Sequence, residues 1–560
     1  MNVPSADLGI PRSSAYSARS DGNLDHGEVF TRRWVVEMIL DLVGYTNDRD
    51  LAQLRLVEPA CGAGAFLAVI AQRVSDACRK HDRSIADAAD AVRAFDLLPR
   101  NVTHARAVVR DLLVAQGWAG TAAEHIATTW VQQGDYLLRT SDDDVDVIVG
   151  NPPYIRIEDV PEERMARYRS LWSCMTGRAD IYVGFFEAAL RSLAPGGVLG
   201  FICADRWMRN QYGGALRELI STSFAVDACI IMHDVDAFDE QVAAYPAITV
   251  LRRAAQGEAV VADTTKGFGP SAATQLTNWA RAPHQPEPVD TESYQIARLP
   301  HWFTGTDSWP LGSPARLAVL EDLADRFPAL GDEQAGVRVG IGIATGADKV
   351  FITTDDQLVE GDRLLPLVMV RDTTTGFLQW GKRYLVNPWD EHGQLVDLDD
   401  YPRLKRYFHQ HHQALSGRYI ARRNPAVWYK TIDKVEAALT ARPKLLFPDM
   451  KLTSHPVLDE GGHYPHHNLY FITSDVWDLE VLGGLLLSKV AEGFIEAYAV
   501  KMRGKTLRFQ AQYLRRIRVP SPETISSHHQ QALISAFRAR DVDAATAAAL
   551  EIYGLSEWPG

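Results

Sequence analysis

Arg55-Leu-Val-Glu-Pro-Ala-Cys-Gly-Ala-Gly-Ala-Phe-Leu67 reads as a short apolar strand, a glycine-rich turn and the start of a helix running to about Lys80. Glycine at such a turn lets a ligand come close to the backbone. A tight strand-to-helix turn needs glycine for its own sake, so the two glycines alone do not decide between ligand and turn. The segments around this one narrow the choice. Ala91-Val-Arg-Ala-Phe-Asp96 predicts a second strand ending on an acid, followed by Pro99 and a helix through His104. An acid at the end of the second strand of a doubly wound sheet is placed to take both hydroxyls of a ribose. It would serve equally as a helix cap. Gln133-Gly-Asp-Tyr-Leu137 puts a third acid, Asp135, before the next apolar strand, where it is a candidate acceptor for an adenine amine with Tyr136 flanking the ring. Helix 181–193 and strands 197–203 and 247–251 continue the alternation. A mostly parallel α/β sheet is predicted, with ligands at its C-terminal strand ends.

The strand Val145-Asp-Val-Ile-Val-Gly150 runs directly into Asn151-Pro-Pro-Tyr154. The exocyclic amine of an aromatic base or an amide is a poor nucleophile, because its lone pair is delocalised. Two fixed acceptors, the Asn151 side-chain oxygen and the Pro152 carbonyl, can each take one N–H and draw the nitrogen towards tetrahedral geometry. Pro152 and Pro153 stiffen the turn and remove competing donors. Tyr154 supplies a flat face, and stacking on such a ring is worth roughly 1–3 kcal/mol per base. A strand followed by a proline-rich turn with a half-buried tyrosine accounts for the same four residues.

The chain has 560 residues, 46% of them apolar, which suits about three or four globular domains. The N-terminal residues show no signal-peptide core, and no window approaches a membrane span, so a cytoplasmic protein is expected. Five cysteines without CxxC spacing argue against a disulfide framework or a zinc site, and no metal is called for. A net charge of −13 counts against a nucleic-acid partner until its distribution is considered. Residues 403–444 hold ten Lys or Arg against Asp433 and Glu436, with Tyr407, Phe408, Tyr419, Trp428 and Tyr429 interleaved. Residues 501–518 hold seven basic residues and no acidic one. Either run alone could be a solvated face; two in one half of the chain suggest contact with phosphates.

Glu58-Pro-Ala-Cys-Gly-Ala-Gly-Ala-Phe-Leu67, Asp96, Asp135 and Asn151-Pro-Pro-Tyr154 occur in the order and spacing of S-adenosylmethionine-dependent N6-adenine DNA methyltransferases. The chain resembles the gamma-order, Taq/Eco57-like enzymes of bacterial restriction-modification systems. The resemblance implies a Rossmann-like class I methyltransferase domain and a C-terminal mixed α/β target-recognition domain. It implies a cofactor site of Thr31, Glu58, Ala60, Gly62, Asp96, Asp135, Tyr136 and Pro153. Thr31 comes from Gly27-Glu-Val-Phe-Thr31, which resembles the family's methionine-contacting segment; the family usually has proline next, and here it is Arg32. Asn151, Pro152 and Tyr154 would be catalytic. An enzyme acting on a base inside a duplex must extrude it. Phe238 is the candidate for the second stacking face by similarity to the family's phenylalanine, with Phe224 as competitor and a plain core role as the alternative.

The expected boundaries are a flexible N-terminus (1–26), a catalytic domain (27–255), a connecting segment (256–330) rich in Gly, Pro and polar residues, a recognition domain (331–520) and a helical tail (521–560). Val339-Gly-Ile-Gly-Ile-Ala-Thr-Gly-Ala-Asp-Lys-Val-Phe351 resembles the opening of the family's recognition domain. Arg422, Arg423, Lys430, Lys501, Arg503, Lys505 and Arg508 are the candidate DNA-binding cations. The reading is a monomeric enzyme on double-stranded DNA that transfers a methyl group to N6 of a flipped-out adenine, using S-adenosylmethionine. With only residues 1–26 ahead of the first motif and no metal-binding nuclease cluster, a separate restriction endonuclease is the candidate partner. A protein-glutamine methyltransferase, which also uses an Asn-Pro-Pro-Tyr box, and an inactive DNA-binding defence component are the alternatives.

Overall fold

The computed structural model describes residues 30–559, except 140–143, 240–244, 283–286, 301, 304 and 500–505. A ten-stranded sheet organises the first half. Its strands are β1 (Leu56–Glu58), β2 (Val92–Asp96), β3 (Val131–Gln133), β4 (Val145–Gly150), β5 (Leu193–Ala204), β6 (Ala225–Ile231), β7 (Pro246–Arg252), β8 (Ala259–Thr264), β9 (Val289–Asp290) and β10 (Tyr294–Leu299). They lie in the order β3-β2-β1-β4-β5-β7-β6-β8-β10-β9. From β3 to β5 every pairing is parallel. Beyond β5 the sheet is mixed: β7 runs antiparallel between β5 and β6, β8 is parallel to β6, and β10 is antiparallel to β8. The antiparallel β7 fits its connection to β6, since residues 232–245 hold no crossover helix among the described residues. That loop carries Phe238.

Helices cover both faces of the parallel half. Helix Ala65–Lys80 buries Phe66, Leu67, Val69, Ile70 and Val74 along one stripe, and Arg79 and Lys80 complement its C-terminal dipole. Helix Arg33–Leu42 lies close over β5: a Cβ on Gly200 would sit 2.5 Å from Val43 Cγ1. The reversal of strand order between β1 and β4 opens a crevice at the C-terminal strand ends, the general ligand position in such sheets.

The segment 256–330, expected as a connector, is instead structured. It contributes β8, β9 and β10 to the sheet, with helix Pro270–Arg281 between β8 and β9. Among its proline and glycine signals, Gly269 and Pro270 open that helix.

The second half is mixed α/β. Strands Val337–Ile341, Leu469–Ser474, Lys444–Pro448 and Val457–Asp459 form one antiparallel sheet, and Ile352–Thr353, Arg383–Val386, Leu364–Val368 and Tyr464–Pro465 form a mixed one, its last pairing parallel. One apolar core runs from Phe186, Phe201 and Trp207 through Trp309 to Phe494, Tyr513 and Tyr553, so the two halves share an interior. Helix Ser527–Ala539 lies against Leu479–Leu487, where a Cβ on Gly483 would meet the Phe537 ring at 2.6 Å. All five cysteines are buried free thiols.

Candidate active site and cofactor cleft

The turn after β1 builds the floor of a cleft of about 130 Å³. Two of its glycines are required by conformation: Gly62 has φ +50° and Gly64 φ +95°, and a Cβ on Gly64 would also lie 3.3 Å from Ala105 Cα. Backbone bonds dock the turn onto β2, with Cys61 N–H donating to Phe95 O at 2.8 Å and Gly62 N–H to Asp96 Oδ2 at 3.0 Å. Asp96 accepts in addition from Leu98 N–H at 2.8 Å and Asn101 Nδ2 at 3.1 Å. It therefore lines the cleft and braces the next helix start at once, so the two readings of this acid are compatible.

Every residue expected at the cofactor site lines this one cleft: Thr31, Glu58, Ala60, Gly62, Asp96, Asp135, Tyr136 and Pro153. Asp135 accepts from Leu137 N–H at 3.1 Å and from the Tyr168 hydroxyl at 2.7 Å. Tyr136 stacks on Phe185 with centroids 5.8 Å apart at 19°, and tilts against Phe95. Glu58 is 1% exposed, and its Oε2 has no hydrogen-bond partner. Burial first, then the neighbouring Asp96 carboxylate, holds its carboxyl well above the usual range. A buried acid of this kind, opening onto a cleft, is matched to a ligand carrying positive charge.

Asn151 also lines the cleft, and its Nδ2 donates to Thr31 Oγ1 at 3.2 Å. Thr31 in turn forms an isolated antiparallel bridge with Phe238. Phe238 meets the Tyr154 ring edge-on, with centroids 6.4 Å apart at 80°. Tyr154 and Phe238 thus adjoin the cleft without lining it, and Pro152 is buried and does not line it either. The competitor Phe224 lies at the start of β6, buried in the core.

Several lining residues escaped the sequence reading. Phe185 lies in the helix predicted over 181–193, with no local signal that it faces a ligand. Tyr168 lies on helix Glu162–Leu171 and reaches Asp135 only through the fold, and Phe30, Leu98, Asn101, Ile155 and Ile181 complete the wall.

The basic runs resolve unevenly. Arg422 and Arg423 are exposed on helix Tyr419–Arg423, beside the 69% exposed Tyr419, and Lys430 is half-buried. Other members turn inward. Arg418 donates to the carbonyls of Thr345, Trp428 and Lys430, and the fully buried Lys444 pairs with Asp459 at 2.9 Å. Arg508, expected as a phosphate contact, is instead ion-paired to Asp449 across the short strand pair Met450–Lys451 and Leu507–Arg508. Lys501, Arg503 and Lys505 lie outside the described residues. No metal ligand set was expected; among the described residues Asp348, His466 and His467 come together in the second half, where His466 Nε2 lies 3.1 Å from Asp348 Oδ2.

The family described as Eco57I restriction-modification methylase matches residues 115–238. The Type II methyltransferase M.PaeR7I of Pseudomonas aeruginosa is 44% identical over 542 residues, covering 96% of this chain and 93% of the relative. M.XhoI of Xanthomonas vasicola is 41% identical over 538 residues, covering 95% and 98%. Among solved structures, the Type IIL restriction-modification enzyme MmeI in complex with DNA shares the fold, with a TM-score of 0.52 at 10% identity over 94% of this chain and 74% of that one. With identities this high over nearly the whole of both chains, and with a glycine-turn cleft suited to S-adenosylmethionine, the protein belongs to the Type II DNA methyltransferases of restriction-modification systems.

Proposed function

We propose that the methyl acceptor is N6 of an adenine extruded from double-stranded DNA. The observation that carries this reading is the position of Asn151, which lines the cofactor cleft and opens the tetrapeptide whose Tyr154 ring meets Phe238. The cofactor supplies an electrophilic methyl group on a sulfonium. Asn151 Oδ1 and the Pro152 carbonyl accept the two N–H bonds of the amine, which localises its lone pair. Neither acceptor takes a proton, so the extra proton on the methylated amine leaves to water. Tyr154 and Phe238 hold the two faces of the base. A base between them needs stacked geometry, so one ring must turn from the present edge-on arrangement. Glu58 offers its unpartnered oxygen to a cationic part of the cofactor, Tyr136 and Phe185 pack beside the adenine moiety, and Asp96 faces the ribose. Arg422 and Arg423, with the 501–505 cations, contact phosphates. The enzyme acts as a monomer alongside a separate endonuclease.

Sequencing with modified-base detection of DNA from a host expressing the protein tests this. Methylated adenines at one recurring sequence are expected; no recurring modified adenine would refute it.

The Glu58 assignment has its own consequence. A cation beside Oε2 stabilises the carboxylate, so cofactor binding should release a proton at any pH below the raised value of the free protein and above the lowered value in the complex. Affinity should therefore rise with pH across that window. Glu58→Gln should weaken binding by about 1.5–3 kcal/mol, the worth of a hydrogen bond to a charged group, and abolish the proton release. Calorimetry below about pH 7, where the cofactor's own amine stays charged, in buffers of different ionisation enthalpy reads both. Equal proton release by wild type and variant would place the titrating group elsewhere.

A further inference from the structure

Arg32 follows Thr31, and its side chain reaches the loop that carries Phe238, 206 residues away in sequence. Its Nε donates to Phe238 O at 3.0 Å, its Nη2 to Asp236 Oδ2 at 2.6 Å, and its backbone N–H to Ala237 O at 3.0 Å. From the other side, Asp239 N–H donates to Phe30 O at 3.0 Å. Residues 30–32 are thus laced to 236–239, and Phe30 and Thr31 of the same segment line the cofactor cleft.

The ion pair contributes little to stability by itself. Arg32 and Asp236 side chains are 38% and 78% exposed, and water screens such pairs. The bond to Phe238 O differs in kind, because it fixes the backbone of the residue whose ring must meet the base. A planar guanidinium can donate from Nε and Nη2 at once in a rigid fork; a lysine ammonium lacks that geometry.

We propose that Arg32 is a positioning residue for the target base, holding the Phe238 ring in register with Tyr154. This rests on the reading of Phe238 as a stacking face. Arg32 touches neither base nor cofactor; it acts through the loop.

The test uses full-length Arg32→Ala, Arg32→Lys, Phe238→Ala and the Arg32→Ala/Phe238→Ala double variant. The substrate is a duplex carrying the site mapped from modified DNA, and a second duplex has 2-aminopurine in place of the target base. Arg32→Ala should keep cofactor affinity within about threefold and lower kcat roughly 10–100-fold, the scale of a misplaced reacting group. Arg32→Lys should fall in between. The double variant should be no slower than Phe238→Ala alone, because the two changes remove one function. The 2-aminopurine emission of the ternary complex should match that of Phe238→Ala. Additive losses in kcat, or wild-type kcat and emission in Arg32→Ala beside an impaired Phe238→Ala, overturn the proposal and leave the stacking reading intact. Wild-type behaviour of Phe238→Ala removes the stacking reading and the proposal with it. Should Arg32→Ala not fold, Arg32→Lys decides: lower kcat at unchanged cofactor affinity supports the role, and wild-type kcat overturns it.

Discussion

Asn151→Ala is expected to slow methyl transfer about 10²–10³-fold, as removal of one preorganised transition-state partner does elsewhere, with cofactor and DNA binding each within a fewfold of wild type. The side chain sits at the end of β4, fixed by its bond to Thr31. What alanine removes is an acceptor needed as the amine becomes tetrahedral, so the loss should fall on the chemical step. Single-turnover transfer with both partners saturating isolates that step. A loss below about tenfold, or one made good by more cofactor, would show that Asn151 serves binding rather than activation.

Asp205→Ala is expected to destabilise the fold by about 3–5 kcal/mol, the cost of stranding one partner of a buried charge pair. Asp205 directly follows β5 at 0% exposure, and its Oδ2 meets Arg209 Nη2 at 2.6 Å and His233 Nε2 at 2.7 Å. Arg209, 3% exposed, reaches Ala499 O at 2.8 Å and so ties the sheet to the second half. Although burial opposes its charge, Arg209 and His233 bring the Asp205 carboxyl down to about 2 from 3.8. A depressed carboxyl stabilises the native state above its unfolded value, and this contribution is lost as pH falls through the folded value. The gap in urea stability between wild type and variant should therefore be full above about pH 4 and shrink towards pH 2. A gap under about 1 kcal/mol at pH 7, the scale of an exposed pair, would mean that the site relaxes around the missing carboxylate.

Most of the cleft's residues were legible because they sit at or just after the ends of β1, β2, β3 and β4, in strand-and-turn segments written locally, where strand ends place them whatever the distant chain does. Thr31 and Phe238 needed the family resemblance, since their bridge joins segments far apart in sequence. The parts misread are those decided by long-range pairing. Strand β8 is six residues beside a polar, glycine-rich stretch, and its partner β6 lies across an intervening strand in the chain. Nothing local distinguishes that arrangement from a connector. Charge counting failed for a related reason. Lys444 opens the fully buried strand Lys444–Pro448, where its ammonium is held by Asp459, and Arg418 spends its donors on four carbonyls. Composition reports a cation's presence; only packing reports which way it faces. Tyr168 had no sequence signal, because its contact with Asp135 is made by a helix 33 residues downstream.

The most direct test is to incubate purified protein with methyl-labelled S-adenosylmethionine and duplex DNA, digest to nucleosides and identify the labelled product by mass spectrometry. Label in N6-methyl-2′-deoxyadenosine, lost in Asn151→Ala, is the result predicted. Label in a cytosine derivative or in protein, or adenine labelling that survives Asn151→Ala undiminished, would contradict it.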